Sequence, residues 1–163
     1  MIPTPFCAHT GAVKSDWIDA NDHVNVAYYV VAFDQATDDF FDFVGLTSEY
    51  RQRANCTTYA LEVHLTYQRE LKLGQQYRIT TQLLDADAKR LHFFHHMYND
   101  TPSEEDPYLA ATYECISTHI DRTGPRSAPF PAAMFEHIQA IAVAHQRLPK
   151  PPQVGSVIGI RRK

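Results

Sequence analysis

A chain of 163 residues, 44% hydrophobic and 21% charged, is long enough for one domain with a sizeable core, and its composition is neither disordered nor fibrous. A formal net charge of −4 argues against a dedicated nucleic-acid surface. No apolar run approaches the roughly 20 residues that cross a bilayer, so no membrane association is expected.

The opening Met1-Ile2-Pro3-Thr4-Pro5 lacks a basic region followed by an apolar stretch. Cys7, Cys56 and Cys115 are odd in number and far apart, which fits a reduced, cytoplasmic setting better than a disulfide framework. The expected order is one short strand, one long helix, four long strands, a shorter helix and a tail, with no internal repeat.

The segment Asp19-Ala20-Asn21-Asp22-His23-Val24-Asn25 places an acid, an imidazole and a carboxamide just ahead of a helix predicted over 27–44. In that helix Tyr29, Phe33, Ala36, Phe40 and Val44 recur at spacings of three and four, with Val30 and Phe41 widening the stripe. Asn25 is a natural N-cap and Gly45 a natural stop. Asp34, Asp38 and Asp42 line another face, either a solvated edge or part of a subunit contact.

Residues 59–67 alternate with period two: Tyr59, Leu61, Val63, Leu65 and Tyr67 against Ala60, Glu62, His64 and Thr66. One face should therefore be buried. Strands are predicted over 77–84 and 90–98, joined by a short linker at 85–89 that suggests a hairpin. A polar, acidic loop follows at 99–107, then a strand over 108–121 closed by Thr123-Gly124-Pro125. Pro131 opens a helix through residue 145, with Met134, Ile138 and Ile141 on one face. Residues 1–148 read as one domain, and 149–163 as an extended, Pro-rich basic tail. The expected architecture is α+β: a curved antiparallel sheet wrapped around one long central helix. A single helix leaves apolar sheet surface and a strand edge uncovered, and a homodimer is the simplest way to cover them.

The order of elements, with Asp-x-x-x-His-Val-Asn leading into the helix, resembles the hotdog-fold acyl-CoA thioesterases of the 4-hydroxybenzoyl-CoA thioesterase type. The resemblance runs roughly from Val13 to Pro131. Further segments sharpen it: Trp17-Ile18-Asp19, Ala36-Thr37-Asp38, Leu61-Glu62-Val63-His64, Thr80-Thr81-Gln82, Asp87-Ala88-Lys89-Arg90-Leu91-His92 and His119-Ile120-Asp121. Together they are similar to the betainyl-CoA thioesterases fused to, or encoded beside, carnitine dehydrogenase. The resemblance implies a hotdog fold, an acyl-CoA substrate, hydrolysis without cofactor or metal, and a homodimer or homotetramer. It puts the catalytic carboxylate on Asp19 and the His-Val-Asn on His23, Val24 and Asn25. Many relatives have Gly where Asp22 stands, and a second Asn where Val26 stands.

A thioester needs an attacking group and a holder for the oxyanion. Asp19 can attack the carbonyl to form an anhydride or deprotonate a water. Backbone N–H groups at the helix start, with Asn25, can hold the oxyanion. Read blandly, Asp19 and Asn25 are turn and cap residues only. His23 can polarise the carbonyl, orient Asp19 or hold the loop.

A cationic acyl group would be met by aromatic faces and a carboxylate, for which Trp17, Tyr28, Tyr29 and Glu62 are the candidates. Two of these have plain alternatives, Tyr29 in the core stripe and Trp17 as a plug for the sheet. Lys89 and Arg90, backed by Arg122, Arg126 and Arg161–Lys163, are candidates for the CoA phosphates, or else a solvated turn. His64, His92, His95, His96 and His119 show no metal-ligand spacing. Two other readings stand beside the thioesterase: a hotdog hydratase or dehydratase, and a non-catalytic acyl-CoA-binding module.

Overall fold

The structure, a computed structural model, describes residues 1–102 and 107–160. The end of the predicted loop at 99–107 and the cationic end of the tail, Arg161–Lys163, lie in part or wholly outside the described residues.

Strand β1 (Phe6–Ala12) and a single 3₁₀ turn (Ser15–Trp17) lead to helix α1 (Val26–Val44). Helix α2 (Ser48–Arg53) follows, then β2 (Cys56–Tyr67), β3 (Gln76–Ala86), β4 (Arg90–Asn99) and β5 (Leu109–Asp121). A two-residue strand β6 (Arg126–Ser127) and helix α3 (Ala132–His145) complete the order. The sheet is antiparallel throughout, in the order β1-β3-β4-β5-β2, with β6 pairing the end of β5. The α+β expectation holds.

Helix α1 begins where Asn25 caps it, its side chain accepting the Ala27 N–H, and stops where Gly45 turns left-handed at φ 97. Its buried face is Tyr29, Ala32, Phe33, Ala36, Thr37, Phe40, Phe41 and Val44, packed into the concave side of the sheet. Phe33 stacks on Tyr113 of β5, and Phe40 and Phe41 meet Phe93 of β4. Each such ring, fully buried, contributes about 1.5–3 kcal/mol of transfer free energy. Val30, expected in the stripe, instead faces out with Val26 and Val31. Asp34, Asp38 and Asp42 are exposed, and Asp38 meets Arg51 of α2 at 3.5 Å.

His95 ties the helix to the sheet. The Thr37 hydroxyl donates to Phe33 O at 2.8 Å, so it receives the His95 Nε2–H at 3.0 Å. His95 Nδ1 is then the acceptor for the Thr81 hydroxyl at 2.9 Å. Every polar atom of this fully buried ring is satisfied in one tautomer. Burial away from water holds the imidazole neutral, its pKa brought down to about 3.

The alternation expected over 59–67 is corrected by the structure. The register shifts between Ala60 and Glu62, so Tyr59 pairs with Thr118 and lies on the outer face, while Val63, Leu65 and Tyr67 follow the inner residues Cys115, Tyr113 and Ala111. Strand β2 is also a free edge of the sheet. Tyr59, Leu61, Val63 and Tyr67 are therefore 51%, 58%, 44% and 50% exposed.

After α3 the chain crosses the outer face of the sheet. Pro149–Pro152 lie beside Thr80, Gln82, His96 and Tyr98 of β3 and β4. The Gly155 N–H donates to Glu114 Oε2 on β5 at 2.9 Å, while Glu114 Oε1 meets His92 Nε2 at 2.8 Å. Val157, Ile158 and Gly159 lie beside His64, Thr66 and Gln68 on and just past β2.

Candidate active site

The Asp19–Asn25 segment folds as a tight hairpin in front of α1. Ile18 and Val24 form a bridge, Asp19 N donates to His23 O at 3.1 Å, and Asn25 N donates to Trp17 O at 2.9 Å. Asp22 occupies the tip at φ 62, in the left-handed region. A glycine enters that conformation at least cost, and a short polar residue such as Asp is among the few others that adopt it. The loop hangs on residue 71: Val24 N donates to Leu71 O at 2.9 Å, and Leu71 N donates to the buried Tyr29 hydroxyl at 3.0 Å.

Within this frame Asp19 accepts the Asn21 N–H on Oδ1 at 2.8 Å, and Asn25 Nδ2 points at Oδ2 from 3.5 Å. Asn25 Oδ1 accepts Ala27 N–H at 3.0 Å and Asn25 O accepts Tyr28 N–H at 3.0 Å. The Val26 N–H, at the first helical position, has no acceptor inside the helix. Asn25 thus ties the Asp19 carboxylate to the first turn of α1, whose N–H dipoles point out of the helix, the pairing that an acyl transfer to water requires. Tyr67, at the end of β2, reaches this mouth and donates to Val26 O at 3.3 Å. Its ring meets Tyr29 edge-on at 5.3 Å. The sequence placed Tyr67 on a buried strand face; only its distant pairing with α1 reveals it at the site. The half-buried His23 side chain has no hydrogen bond or ion pair among the described residues.

The other candidates are scattered. Trp17 is buried, stacked on Tyr28 at 5.5 Å and on Tyr77 at 6.1 Å, with Lys14 Nζ already 5.7 Å over its ring. Tyr29 is a core residue, and burial raises its pKa. Glu62 pairs with Ile116, as does His92, so it lies on the outer face. There it lines a cavity of about 260 Å³ with His64, His92 and Glu114.

Lys89 and Arg90 form the β3–β4 turn. Asp87 Oδ1 accepts both backbone N–H groups, and Asp87 Oδ2 holds the Arg90 guanidinium at 2.6 Å. Arg90 keeps the Asp87 carboxyl below the usual range. Strand β3 starts near the base of the Asp19 loop, where its Tyr77 stacks on Trp17, and runs 11 residues to this turn. The two therefore sit at opposite ends of one subunit, roughly 30 Å apart at about 3.3 Å per residue. Arg122 and Arg126 lie at that far end too, around β6. No three His, Cys, Asp or Glu side chains among the described residues gather as a metal-ligand set. No helix among them is long and apolar enough to cross a membrane.

Known proteins share both sequence and fold. The chain is 37% identical over 148 residues to a betainyl-CoA thioesterase of Pseudomonas aeruginosa, covering 91% of each. It is 31% identical to a longer L-carnitine dehydrogenase/betainyl-CoA thioesterase of Rhizobium meliloti, spanning 29% of that protein's length. A Staphylococcus aureus protein solved in complex with CoA superposes with a TM-score of 0.88 at 33% identity, over 99% of this chain and 98% of that one. The family model described as the thioesterase-like superfamily matches residues 13–140. With the curved sheet around α1 and the carboxylate at its mouth, the chain belongs to the thioesterase-like superfamily.

Proposed function

We propose that this protein is an acyl-CoA thioesterase that hydrolyses betainyl-CoA to glycine betaine and CoA. The observation that carries the chemistry is the Asp19 carboxylate, held by Asn21 and by Asn25, the cap of α1. Asp19 attacks the thioester carbon directly or through a water that it deprotonates. The carbonyl oxygen gathers charge against the Val26 N–H, the C–S bond breaks, and the thiolate leaves and takes a proton. Water supplies the second oxygen of the acid. The substrate assignment draws on the Pseudomonas aeruginosa relative, which bears that name across 91% of both chains. The exposed Tyr67 ring at the helix mouth and the half-buried Tyr28 ring suit a trimethylammonium group better than the enclosed Trp17.

The working unit in this reading is a homodimer. Two β2 edges pair antiparallel and cover Leu61, Val63, Val26, Val30 and Val31, which stand exposed on the single chain. Antiparallel pairing also brings the Lys89–Arg90 turn of one subunit toward the Asp19 end of the other, where it can meet CoA phosphates. Residues 1–148 carry the chemistry and 149–163 form an appendage. The three cysteines are free, consistent with the cytoplasm. A thiol-release screen over betainyl-, short-chain, long-chain and aromatic acyl-CoA tests the reading. The expected result is the highest kcat/KM for betainyl-CoA. Tight binding without thiol release, or formation of an enoyl or hydroxyacyl product, would refute hydrolysis.

A further inference from the structure

The C-terminal tail does not stop at the sheet it crosses. It passes in turn over β3, β4, β5 and β2, pinned at Gly155 by Glu114, and reaches the free edge. Past that pin come Val157, Ile158 and Ile160, which are 87%, 88% and 90% exposed. Three aliphatic side chains in a six-residue stretch carry nothing over them in the single chain.

We infer that this segment is a strap between subunits: Val157, Ile158 and Ile160 of one copy lie on the outer sheet face of a second copy, across the β2 seam. The inference rests on the homodimer proposed above. Three observations fix the occupant. The tail heads directly at the edge where the second copy would pair. The six residues from Gly155 to Ile160 span at most about 17 Å, whereas strands stand about 4.8 Å apart, so Ile160 can pass β2 and reach the next strand.

The third is the presence of a receiving ring. A two-fold antiparallel pairing along the whole of β2 centres near Leu61 and Glu62, because the strand runs Cys56–Tyr67. The half that the tail crosses, His64 to Gln68, then faces the partner's other half, which carries Tyr59. The bulge between Ala60 and Glu62 has turned Tyr59 to the outer face, where half of it is exposed. The bulge thus presents an aromatic ring on the side where the strap arrives.

Two experiments on the full-length chain test this. The first compares wild type with V157S/I158S/I160S and with Tyr59→Ser by sedimentation across a dilution series, with circular dichroism confirming the fold. The expected outcome is a folded wild-type dimer whose dissociation constant rises at least tenfold in both variants. A wild-type dimer with unchanged variant dissociation constants would overturn the strap alone; a wild-type monomer at all concentrations would overturn the dimer and the strap together. The second, in a Cys7→Ser background, mixes Ile158→Cys and Tyr59→Cys chains and adds a short bismaleimide. A dimer-mass band from the mixture supports a crossing tail. A double variant that links only within one chain refutes it.

Discussion

Asn25 joins two tasks in one side chain: its Nδ2 lies 3.5 Å from Asp19 Oδ2, while its Oδ1 caps the Ala27 N–H at 3.0 Å. The two are separable by substitution. Asn25→Ser keeps a capping oxygen and should hold stability within a few tenths of a kcal/mol, whereas Asn25→Ala should lose about 1 kcal/mol. Both remove the link to Asp19 and should lower kcat by about tenfold with little change in KM, the loss expected when a positioning contact goes. Urea unfolding and steady-state kinetics on the pair would show it. Equal kcat in wild type and Asn25→Ser would confine Asn25 to capping.

Asp19→Asn should fold normally, because an amide oxygen still accepts the Asn21 N–H. Turnover should fall by roughly 10²–10⁴, the range for a positioned acid or base. Wild-type turnover by the purified variant on betainyl-CoA would remove Asp19 from the chemistry.

The helix, the four long strands and the loop ahead of the helix were legible in sequence because each follows a local rule: Tyr29–Val44 periodicity, strand alternation, an Asn cap and a Gly stop. What local rules could not show was pairing. Helix α2 has no buried residue and no apolar stripe to announce it; Thr47 caps it at Tyr50 N. The bulge in β2 follows from its match to β5, and it moves Tyr59 to the other face. Val30 fits the stripe by spacing, yet the sheet does not reach round to it. At the site, Asp19 and Asn25 are neighbours in the chain and could be read, but Tyr67 arrives from 41 residues away. Trp17 and Tyr29 carry plain packing alternatives in the sequence and Glu62 does not; the sheet's two faces and its interior place all three.

Asp22 sits at φ 62, where a side chain is strained and glycine is not. Asp22→Gly should raise stability by about 0.5–1 kcal/mol and leave kcat unchanged. Chemical denaturation decides: a destabilised variant would mean that the Asp22 side chain stabilises the tip.

Acid should unfold this protein through its buried imidazoles. His95 titrates near 3 when folded and near 6.5 when unfolded, so between those values the unfolded chain binds a proton that the native one does not. Stability is therefore full above about pH 6.5 and falls as pH drops through the window. His95 alone should cost on the order of 2 kcal/mol by pH 5. Burial lowers His96 and His145 in the same direction. Asp87 and Asp121, held below the usual carboxylate range, lose their contributions only at still lower pH. Urea midpoints at pH 7, 6 and 5 should decline in step with an uptake of one to three protons; flat midpoints would contradict buried neutral histidines.

Trp17, enclosed between Tyr28 and Tyr77, should act as packing. Trp17→Phe should change kcat/KM for cationic and neutral acyl-CoA substrates by similar factors. Tyr67→Leu should weaken the cationic substrate about 3- to 30-fold more than the neutral one, equivalent to about 0.5–2 kcal/mol of cation–π attraction. Equal losses from Tyr67→Leu would move the cation elsewhere.

The carboxylate and the basic turn stand at opposite ends of one subunit, and in the proposed dimer this acquires a genetic meaning. Each reaction centre would draw Asp19 from one polypeptide and Lys89 from the other. Two alleles, one carrying Asp19→Asn and the other Lys89→Ala/Arg90→Ala, would each encode a defective enzyme. Co-expressed, they would complement: in every mixed dimer one centre collects both lesions and its twin collects neither.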